Sequence, residues 1–134
     1  MALSDSDETL SLTGKAVVVT GAGRGVGAAI AQAAAAAGAC VVVNDIDAEP
    51  AQACAAAILA AGGQAIAHVA DVGDWPQAEG LIERCLEAYG RIDGLVNNAG
   101  ISVRMRSWEL EEAQVRQVLN AHLISTLALS LIHI

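Results

Sequence analysis

The sequence is poor in aromatic side chains, which make up only 2% of its 134 residues. Apolar residues nevertheless reach 54%, because alanine and valine carry most of that count. A core built from such small side chains has to bring backbones close together. The length allows one compact domain at most.

Basic residues are also few, with 7 Lys and Arg against 15 Asp and Glu and a formal net charge of −8. They form no cluster, which argues against nucleic acid or an anionic membrane surface as a partner. The uncharged run over residues 25–44 is mostly Ala and Gly, with a turn signal at Gly38. It therefore predicts a buried helix and a buried strand, and no membrane span.

Cysteine is sparse, and Cys40, Cys54 and Cys85 form no CxxC pair and have no histidine at ligand spacing. This argues against a disulfide framework or a metal site and favours a reducing cytoplasm. The opening MALSDSDETLSL lacks the basic start and apolar core of a signal peptide. We expect residues 1–12 to be a flexible leader.

Strand-like and helix-like patterns alternate along the chain. Buried strands are predicted over residues 16–20, 40–43, 65–69 and 94–96. Helices are predicted over residues 25–37, 48–61 and 74–89, each followed by glycine, and a fourth carries Val115, Val118, Leu119, His122 and Leu123 on one stripe. This alternation predicts a doubly wound α/β fold, with a parallel sheet covered by helices on both faces.

Two acids are candidate helix caps. Asp47 precedes the second predicted helix, and Asp74 precedes the third, where Asp74 and Gln77 have the spacing of a capping box. Pro50 and Pro76 each stand in the first turn that follows, as proline prefers. Both helices should therefore start at these acids.

The stretch VVVTGAGRGVG lies where the first predicted strand meets the first predicted helix. Gly21, Gly23, Gly25 and Gly27 lack side chains there, so backbone N–H groups at the helix N-terminus can approach a phosphate. The strict GxGxxG pattern is not met, because Val26 stands where its third glycine would be. A P-loop is excluded, since no Gly-Lys-Ser/Thr follows. An ordinary tight turn remains the alternative.

Asp45 ends the second predicted strand, roughly 24 residues after Gly21, close to the spacing at which an acid accepts from both ribose hydroxyls of an adenosine. A carboxylate there would repel a 2′-phosphate, so NAD should be preferred over NADP. The alternative is that Asp45 or Asp47 only caps the next helix.

Four segments, read together, resemble signatures of the short-chain dehydrogenase/reductase family. TGAGRGVG at residues 20–27 is similar to its TGxxxGxG turn, and NNAG at residues 97–100 resembles its fourth-strand signature. The pair Asp71 and Val72 resembles the family's adenine contact, and LTGK at residues 12–15 its entry into the first strand. The resemblance covers about residues 12–127, the amino-terminal part of such a protein. It implies a Rossmann-type sheet with strand order 3-2-1-4, here ending after the fourth strand and helix.

The resemblance also implies cofactor-binding roles. The pyrophosphate and the adjacent ribose would be bound by Gly21, Arg24, Gly25, Val26 and Gly27. Asp45 would bind the adenosine ribose, and Asp71 with Val72 the adenine. Beneath the cofactor would lie Asn98, Ala99 and Gly100, where small residues leave room for a flat ligand and Asn amides can tie strand ends together.

His122 is the candidate catalytic residue. The family usually places an asparagine in the fourth helix to hold a water of its proton relay, and aligning VLNAHL puts His122, not Asn120, at that position. A histidine could hold the water and shuttle a proton. The alternative is a core histidine satisfied by a backbone carbonyl. His68, on the third strand, is expected to be structural.

Family chemistry moves a hydride between a nicotinamide and a secondary alcohol or ketone, using a tyrosine, a lysine and a serine. The one tyrosine, Tyr89, lies on an apolar helix stripe with no lysine at the required spacing. We therefore expect the cofactor-binding half of an NAD(P)-dependent oxidoreductase, inactive as it stands. The resemblance implies a small-molecule substrate, for which a 3-oxoacyl or hydroxyacyl thioester is one candidate, and a homo-oligomeric full-length parent.

The last six residues, LSLIHI, resemble one reading frame of a transposase end sequence used to tag DNA for sequencing. We interpret residues 129–134 as a non-native tail and residues 13–128 as a partial dinucleotide-binding domain, with a true helix continuation as the alternative. Two other functions stay open. One is a stand-alone NAD-sensing module, and the other a methyltransferase, against which NNAG and the TGxxxGxG spacing argue.

Overall fold

The computed structural model describes residues 11–102 and 104–132 of the chain. In this part, strands and helices alternate as predicted. Their bounds are β1 (Ala16–Val19), α1 (Gly25–Ala36), β2 (Cys40–Asp45), α2 (Ala48–Ala60), β3 (Gln64–Val69), α3 (Trp75–Tyr89), β4 (Gly94–Val96), a 3-10 turn (Ser107–Glu109), α4 (Glu112–Leu119), a π turn (Asn120–Ile124) and α5 (Ser125–Ile132).

The strands form one parallel sheet in the order β3-β2-β1-β4. Val18, in the centre of β1, aligns with Val42 of β2 on one side and with Leu95 of β4 on the other. The predicted fold class and strand order are therefore confirmed. β2 and β3 are added on one side of β1 and β4 is added on its other side, so the strand order reverses at β1. The carboxyl ends of β2, β1 and β4 lie side by side there.

Alternate residues of the central strands are buried on opposite faces of the sheet, as the period of a strand requires. The face under α1 and α2 is built from Val17, Val19, Val41, Val43, Ala31, Ala35, Cys54 and Ile58. The face under α3 and α5 is built from Ala16, Val18, Val42, Leu81, Ile82, Cys85, Ala128 and Leu129. Burying one valine or leucine side chain stabilises the fold by about 1.5–3 kcal/mol.

Glycines end the first three helices, as predicted. Gly38, Gly62 and Gly90 have φ angles of 102°, 89° and 71°. A side chain with a Cβ adopts this left-handed conformation at a cost, whereas glycine adopts it freely. The residue type therefore sets where each helix stops.

The predicted cap positions are confirmed at both helices, but only Asp74 makes a side-chain cap bond. The Asp74 side chain accepts from the Gln77 N–H at 3.3 Å, but the Gln77 side chain accepts from the Asp71 N–H and not from Asp74. Asp47 stands at the N-cap of α2 without a side-chain cap bond. Its carboxylate instead pairs with Arg24 at 2.7 Å, because the oppositely charged guanidinium lies within reach.

The fourth predicted helix differs from a regular helix. α4 passes through the π turn into α5, so one helical rod continues to Ile132. Val115, Leu119 and Leu123 of the predicted stripe are 44%, 48% and 52% exposed. This stripe is therefore a surface feature in the described part of the chain.

Two predictions concern the ends of the chain. Residues 1–10 of the predicted leader and residues 133–134 of the predicted tail lie outside the described residues. Leu12, the last residue of the predicted leader, is among the described residues. Its N–H donates to the Ala37 carbonyl at 2.7 Å, and it packs on the α1 face of the core. Leu129 is fully buried against α3. Among the described helices, none is both long and apolar enough to cross a membrane.

Candidate functional site

A cleft of about 240 Å³ opens at the carboxyl ends of β1, β2 and β4. It lies where the strand order reverses, which is where doubly wound sheets bind ligands. The predicted site residues that line it are Gly21, Arg24, Asp45, Asp71, Val72, Asn98, Ala99 and Gly100. Four other predicted site residues, Gly25, Val26, Gly27 and His122, lie beside the cleft without lining it.

The glycine-rich turn carries the chain from β1 into α1. Gly25, the first residue of α1, has a φ of +59°, and a Cβ there would meet nothing within 4 Å. Open space therefore lies at the positive end of the α1 dipole. Gly27 has the opposite surroundings, because a Cβ would collide with the carbonyl oxygen of Gly21. Glycine at this position allows α1 to pack tightly against the turn.

Asp45 is fixed at the end of β2 and is only 7% exposed. One carboxylate oxygen accepts from the Gly23 N–H at 2.9 Å, and the other accepts from the Asp47 N–H at 3.1 Å. Each oxygen keeps a further lone pair that can accept from a hydroxyl group. The carboxylate therefore faces the cleft with a set orientation, and Asp45 is not the N-cap residue of α2.

Arg24 lies at the mouth of the cleft and pairs with Asp47. Their side chains are 65% and 60% exposed. Exposed ion pairs of this kind contribute about 0–1 kcal/mol. The guanidinium can therefore exchange Asp47 for another anionic partner at little cost.

Thr20 and Asn98 tie the end of β1 to the end of β4. The Thr20 hydroxyl accepts from the N–H groups of Asn98 and Ala99 at 3.0 and 2.9 Å. The Asn98 side chain donates to the carbonyls of Thr20 and Gly21, both at 3.1 Å. The tie expected of the Asn amide is confirmed. Thr20 was not predicted as part of the site, although it stands at the head of the TGxxxGxG pattern.

A second asparagine, Asn44, ties β2 to the end of β3. Its side chain donates to the carbonyls of His68 and Ala70, both at 3.1 Å. The adjoining Asp71 accepts from the Gly73 N–H at 2.9 Å. Val72 is buried and packs on the α3 face of the core. The segment after β3, which forms one wall of the cleft, is thus fixed by these hydrogen bonds to its backbone.

His122 lies over the chain that leaves β4. Its Nε2 is 2.6 Å from the Ile101 carbonyl oxygen and 3.1 Å from the Ile101 nitrogen. A Cβ at Gly100 would collide with the imidazole ring. The carbonyl contact matches the predicted alternative of a backbone-satisfied histidine. The ring is exposed, however, and does not belong to the core.

Tyr89 lies away from the cleft, in the core between α3 and the sheet. Its hydroxyl donates to the Val41 carbonyl at 3.4 Å, and burial raises its pKa. His68 is half-buried on β3, and burial lowers its pKa. Neither residue reaches the cleft. Within residues 11–102 and 104–132, no group of three or more His, Cys, Asp or Glu could hold a metal ion.

A doubly wound parallel sheet with a glycine-rich turn and an acid at its switch point defines the Rossmann-type class of folds. A family model for short chain dehydrogenases matches residues 15–132. The chain belongs to the short-chain dehydrogenase/reductase family.

Similar proteins cover a range of dehydrogenases. An uncharacterised oxidoreductase of Methylorubrum extorquens is 45% identical over 117 residues, which are 87% of this chain and 47% of that protein. A short chain dehydrogenase of Burkholderia cenocepacia, solved in complex with NADP, is 40% identical with a TM-score of 0.87, over 90% of this chain and 50% of that one. A 7α-hydroxysteroid dehydrogenase, solved with NADH and 7-oxo glycochenodeoxycholic acid, is 35% identical with a TM-score of 0.90, over 97% of this chain and 50% of that one.

The chain spans about half the length of these relatives. It corresponds to the amino-terminal part of the family. Family membership excludes the methyltransferase alternative.

Proposed function

We propose that this chain is the NAD(P)-binding half of an oxidoreductase that transfers a hydride between a nicotinamide and a secondary alcohol or ketone of a small-molecule substrate. The observation that carries the proposal is the cleft at the switch point. Asp45 is fixed at one side of this cleft, and the turn that opens α1 lies at another. The relatives solved with NADP and with NADH support it.

The residues present fit a dinucleotide. Backbone N–H groups and the positive dipole at the start of α1 suit a pyrophosphate, and Gly25 leaves open space there. The adenosine ribose would be bound by Asp45, whose oxygens keep free lone pairs, and the adenine would lie against Asp71 and Val72. Asn98, Ala99 and Gly100 would form the floor under the nicotinamide half.

We propose that NAD is preferred over NADP. A 2′-phosphate would approach the Asp45 carboxylate, whose fixed position prevents it from turning away. Arg24 would raise the affinity for NADP, because its exposed guanidinium can leave Asp47 and pair with the 2′-phosphate. The preference for NAD should therefore be moderate.

When bound, the nicotinamide supplies or accepts the hydride. The chain's own residues bind and orient it, and we propose that His122 holds or moves a proton beside it. The His122 Nδ1 makes no hydrogen bond to another described residue, so it is open to a hydrogen bond with a water or a substrate atom. The family's Ser, Tyr and Lys set is not met in this chain, so we expect these 134 residues to bind the dinucleotide without turnover.

The remaining assignments belong to the same proposal. We propose that residues 13–128 are the dinucleotide-binding unit, that residues 129–134 are the non-native tail, and that the full-length parent is a homo-oligomer. A cytoplasmic location accords with Cys40, Cys54 and Cys85, which are all free thiols.

Calorimetric titration of the 134-residue chain with NADH and with NADPH tests this proposal. We expect NADH to bind about tenfold more tightly, which is about 1.4 kcal/mol. The change Asp45→Asn should remove most of that difference, whereas the matched change Glu83→Gln, on the exposed face of α3, should leave it intact. Binding of neither dinucleotide would contradict the function, and equal affinity for both would contradict the NAD preference.

A further inference from the structure

The π turn that carries His122 is a local departure from regular helix. The Ser125 N–H donates to the carbonyl of Asn120, five residues earlier, in place of the usual four. Such turns are rare, and they occur frequently at functional sites. The widened turn lies directly above Gly100 and Ile101, at the edge of the cleft.

Two consecutive hydroxyl side chains follow the π turn and bond back into it. The Ser125 hydroxyl donates to the Ala121 carbonyl, and the Thr126 hydroxyl donates to the His122 carbonyl, both at 2.7 Å. Serine and threonine that bond to a carbonyl four residues earlier bend a helix and slightly destabilise it. These two bonds therefore favour a distorted helix over a regular one at this point.

Two contacts fix the π turn, one after it and one within it. After it, Ser125, Ala128 and Leu129 are buried against the core and hold the start of α5 in place. Within it, the His122 ring sits over Gly100, where any side chain would collide with the ring. A change from a five-residue to a four-residue turn would rotate His122 about the helix axis, because α5 cannot follow.

The position of the His122 ring determines which nitrogen carries its proton. Nε2 lies within hydrogen-bond distance of both the carbonyl and the N–H of Ile101, but one ring nitrogen can serve only one of them at a time. The contact with the carbonyl oxygen is the shorter one, at 2.6 Å, and it is favourable when Nε2 donates. In the neutral ring, Nδ1 then carries no hydrogen and can accept a hydrogen bond.

We propose that Ser125 and Thr126 are positioning residues: their hydroxyls hold the π turn, which aims His122 at Ile101 and fixes its Nε2–H tautomer. The significance for catalysis rests on the role proposed above for His122. The geometric statement concerns this chain alone and does not depend on a bound dinucleotide.

Nitrogen-15 NMR of the histidine side chains in the 134-residue chain tests the inference, with His122→Asn used to assign the signal. In the wild type we expect one Nε2–H tautomer at His122. In Ser125→Ala/Thr126→Val we expect the two tautomers to mix, with no fall in melting temperature. Thr126→Ser, which keeps the hydroxyl, should retain the wild-type signal.

An Nδ1–H tautomer in the wild type, or an unchanged His122 signal in the double variant, would overturn the inference. If the double variant does not fold, Thr126→Val alone against Thr126→Ser makes the same comparison. A parallel NADH titration separates the two proposals: absent NADH binding with the expected tautomer change would overturn only the proposed function.

Discussion

Asp45 accepts a hydrogen bond from the backbone N–H of Gly23 at 2.9 Å, across the gap between β2 and the glycine-rich turn. This one bond fixes the distance between the segment proposed to bind phosphate and the carboxylate proposed to bind ribose. A nucleotide would meet both segments already in place, so little of its binding energy would be spent on ordering them.

Gly23→Ala should break this relationship. The added Cβ would lie 2.7 Å from a carboxylate oxygen of Asp45 and from the Pro50 side chain, so one of them has to move. We expect a loss of about 1–3 kcal/mol in the free energy of unfolding, together with weaker NADH binding. Urea denaturation and calorimetry measure the two effects. Gly80→Ala is the control: its Cβ meets nothing within 4 Å inside α3, and it should gain about 0.5–1 kcal/mol.

Thr20→Val should destabilise the chain, although the side chains have similar shapes. Thr20 is 1% exposed, and its hydroxyl is the acceptor for the N–H groups of Asn98 and Ala99. The Asn98 N–H also donates to the Val96 carbonyl at 3.1 Å, so the half-buried Ala99 N–H is the donor that loses its acceptor. Leaving such a donor unpaired costs about 1–3 kcal/mol, which a denaturation curve resolves. Thr20→Ser keeps the hydroxyl and should lose less. Equal losses in the two variants would show that packing, and not the hydroxyl, matters at this position.

Stability should fall in acid partly through Asp93. Hydrogen bonds from Arg91, and from the Ala16 N–H, lower the pKa of Asp93 from 3.8 to about 2. Because the folded state favours the charged form, this contribution is complete above the unfolded pKa near 3.9 and is lost as the pH falls through about 2. The difference in urea midpoint between wild type and Asp93→Asn should therefore narrow between about pH 4 and pH 2. Glu83→Gln is the control: its urea midpoint should stay close to that of the wild type between about pH 4 and pH 2.

The chain should associate at micromolar concentration. β4 pairs only with β1 in the described part of the chain, and Val115, Leu119, Leu123, Leu127 and Leu131 form an exposed apolar stripe along α4 and α5. Unpaired strand edges and large apolar patches favour association. Light scattering should give a mass that rises with concentration, and Leu119→Lys/Leu123→Lys should lower it. Leu59→Lys, an equally exposed position on α2, should not. A clean monomer in the wild type would contradict the prediction.

Sequence patterns predicted the elements of this fold because the relevant physics is local. Runs of β-branched residues set the strands, and the glycines at positions 38, 62 and 90 set the helix ends through their backbone angles. The strand order followed from family resemblance and is confirmed. Asp74 acted as a cap because its partner lies three residues away in the chain.

The features that the sequence did not predict depend on partners that are distant in the chain, or on helix geometry that residue types do not encode. Asp47 stands at the predicted cap position, but its carboxylate pairs with Arg24, far away in the chain, and makes no cap bond. Thr20 looked like a strand end, and only the docking of β4 makes it an acceptor. Nothing in the stripe pattern signalled the π turn, although the adjacent Ser125 and Thr126 were visible as residues able to bond back to carbonyls.

The hydrogen bonds between Thr20 and the segment after β4 also bear on the order of folding. They join residues that are 78 positions apart in the chain. Closing a loop of that length costs more entropy than joining neighbouring strands, and long-range contacts of this kind slow folding. The cleft should therefore be among the last parts of the domain to form, and a chain emerging from the ribosome could not complete it before β4 had been made.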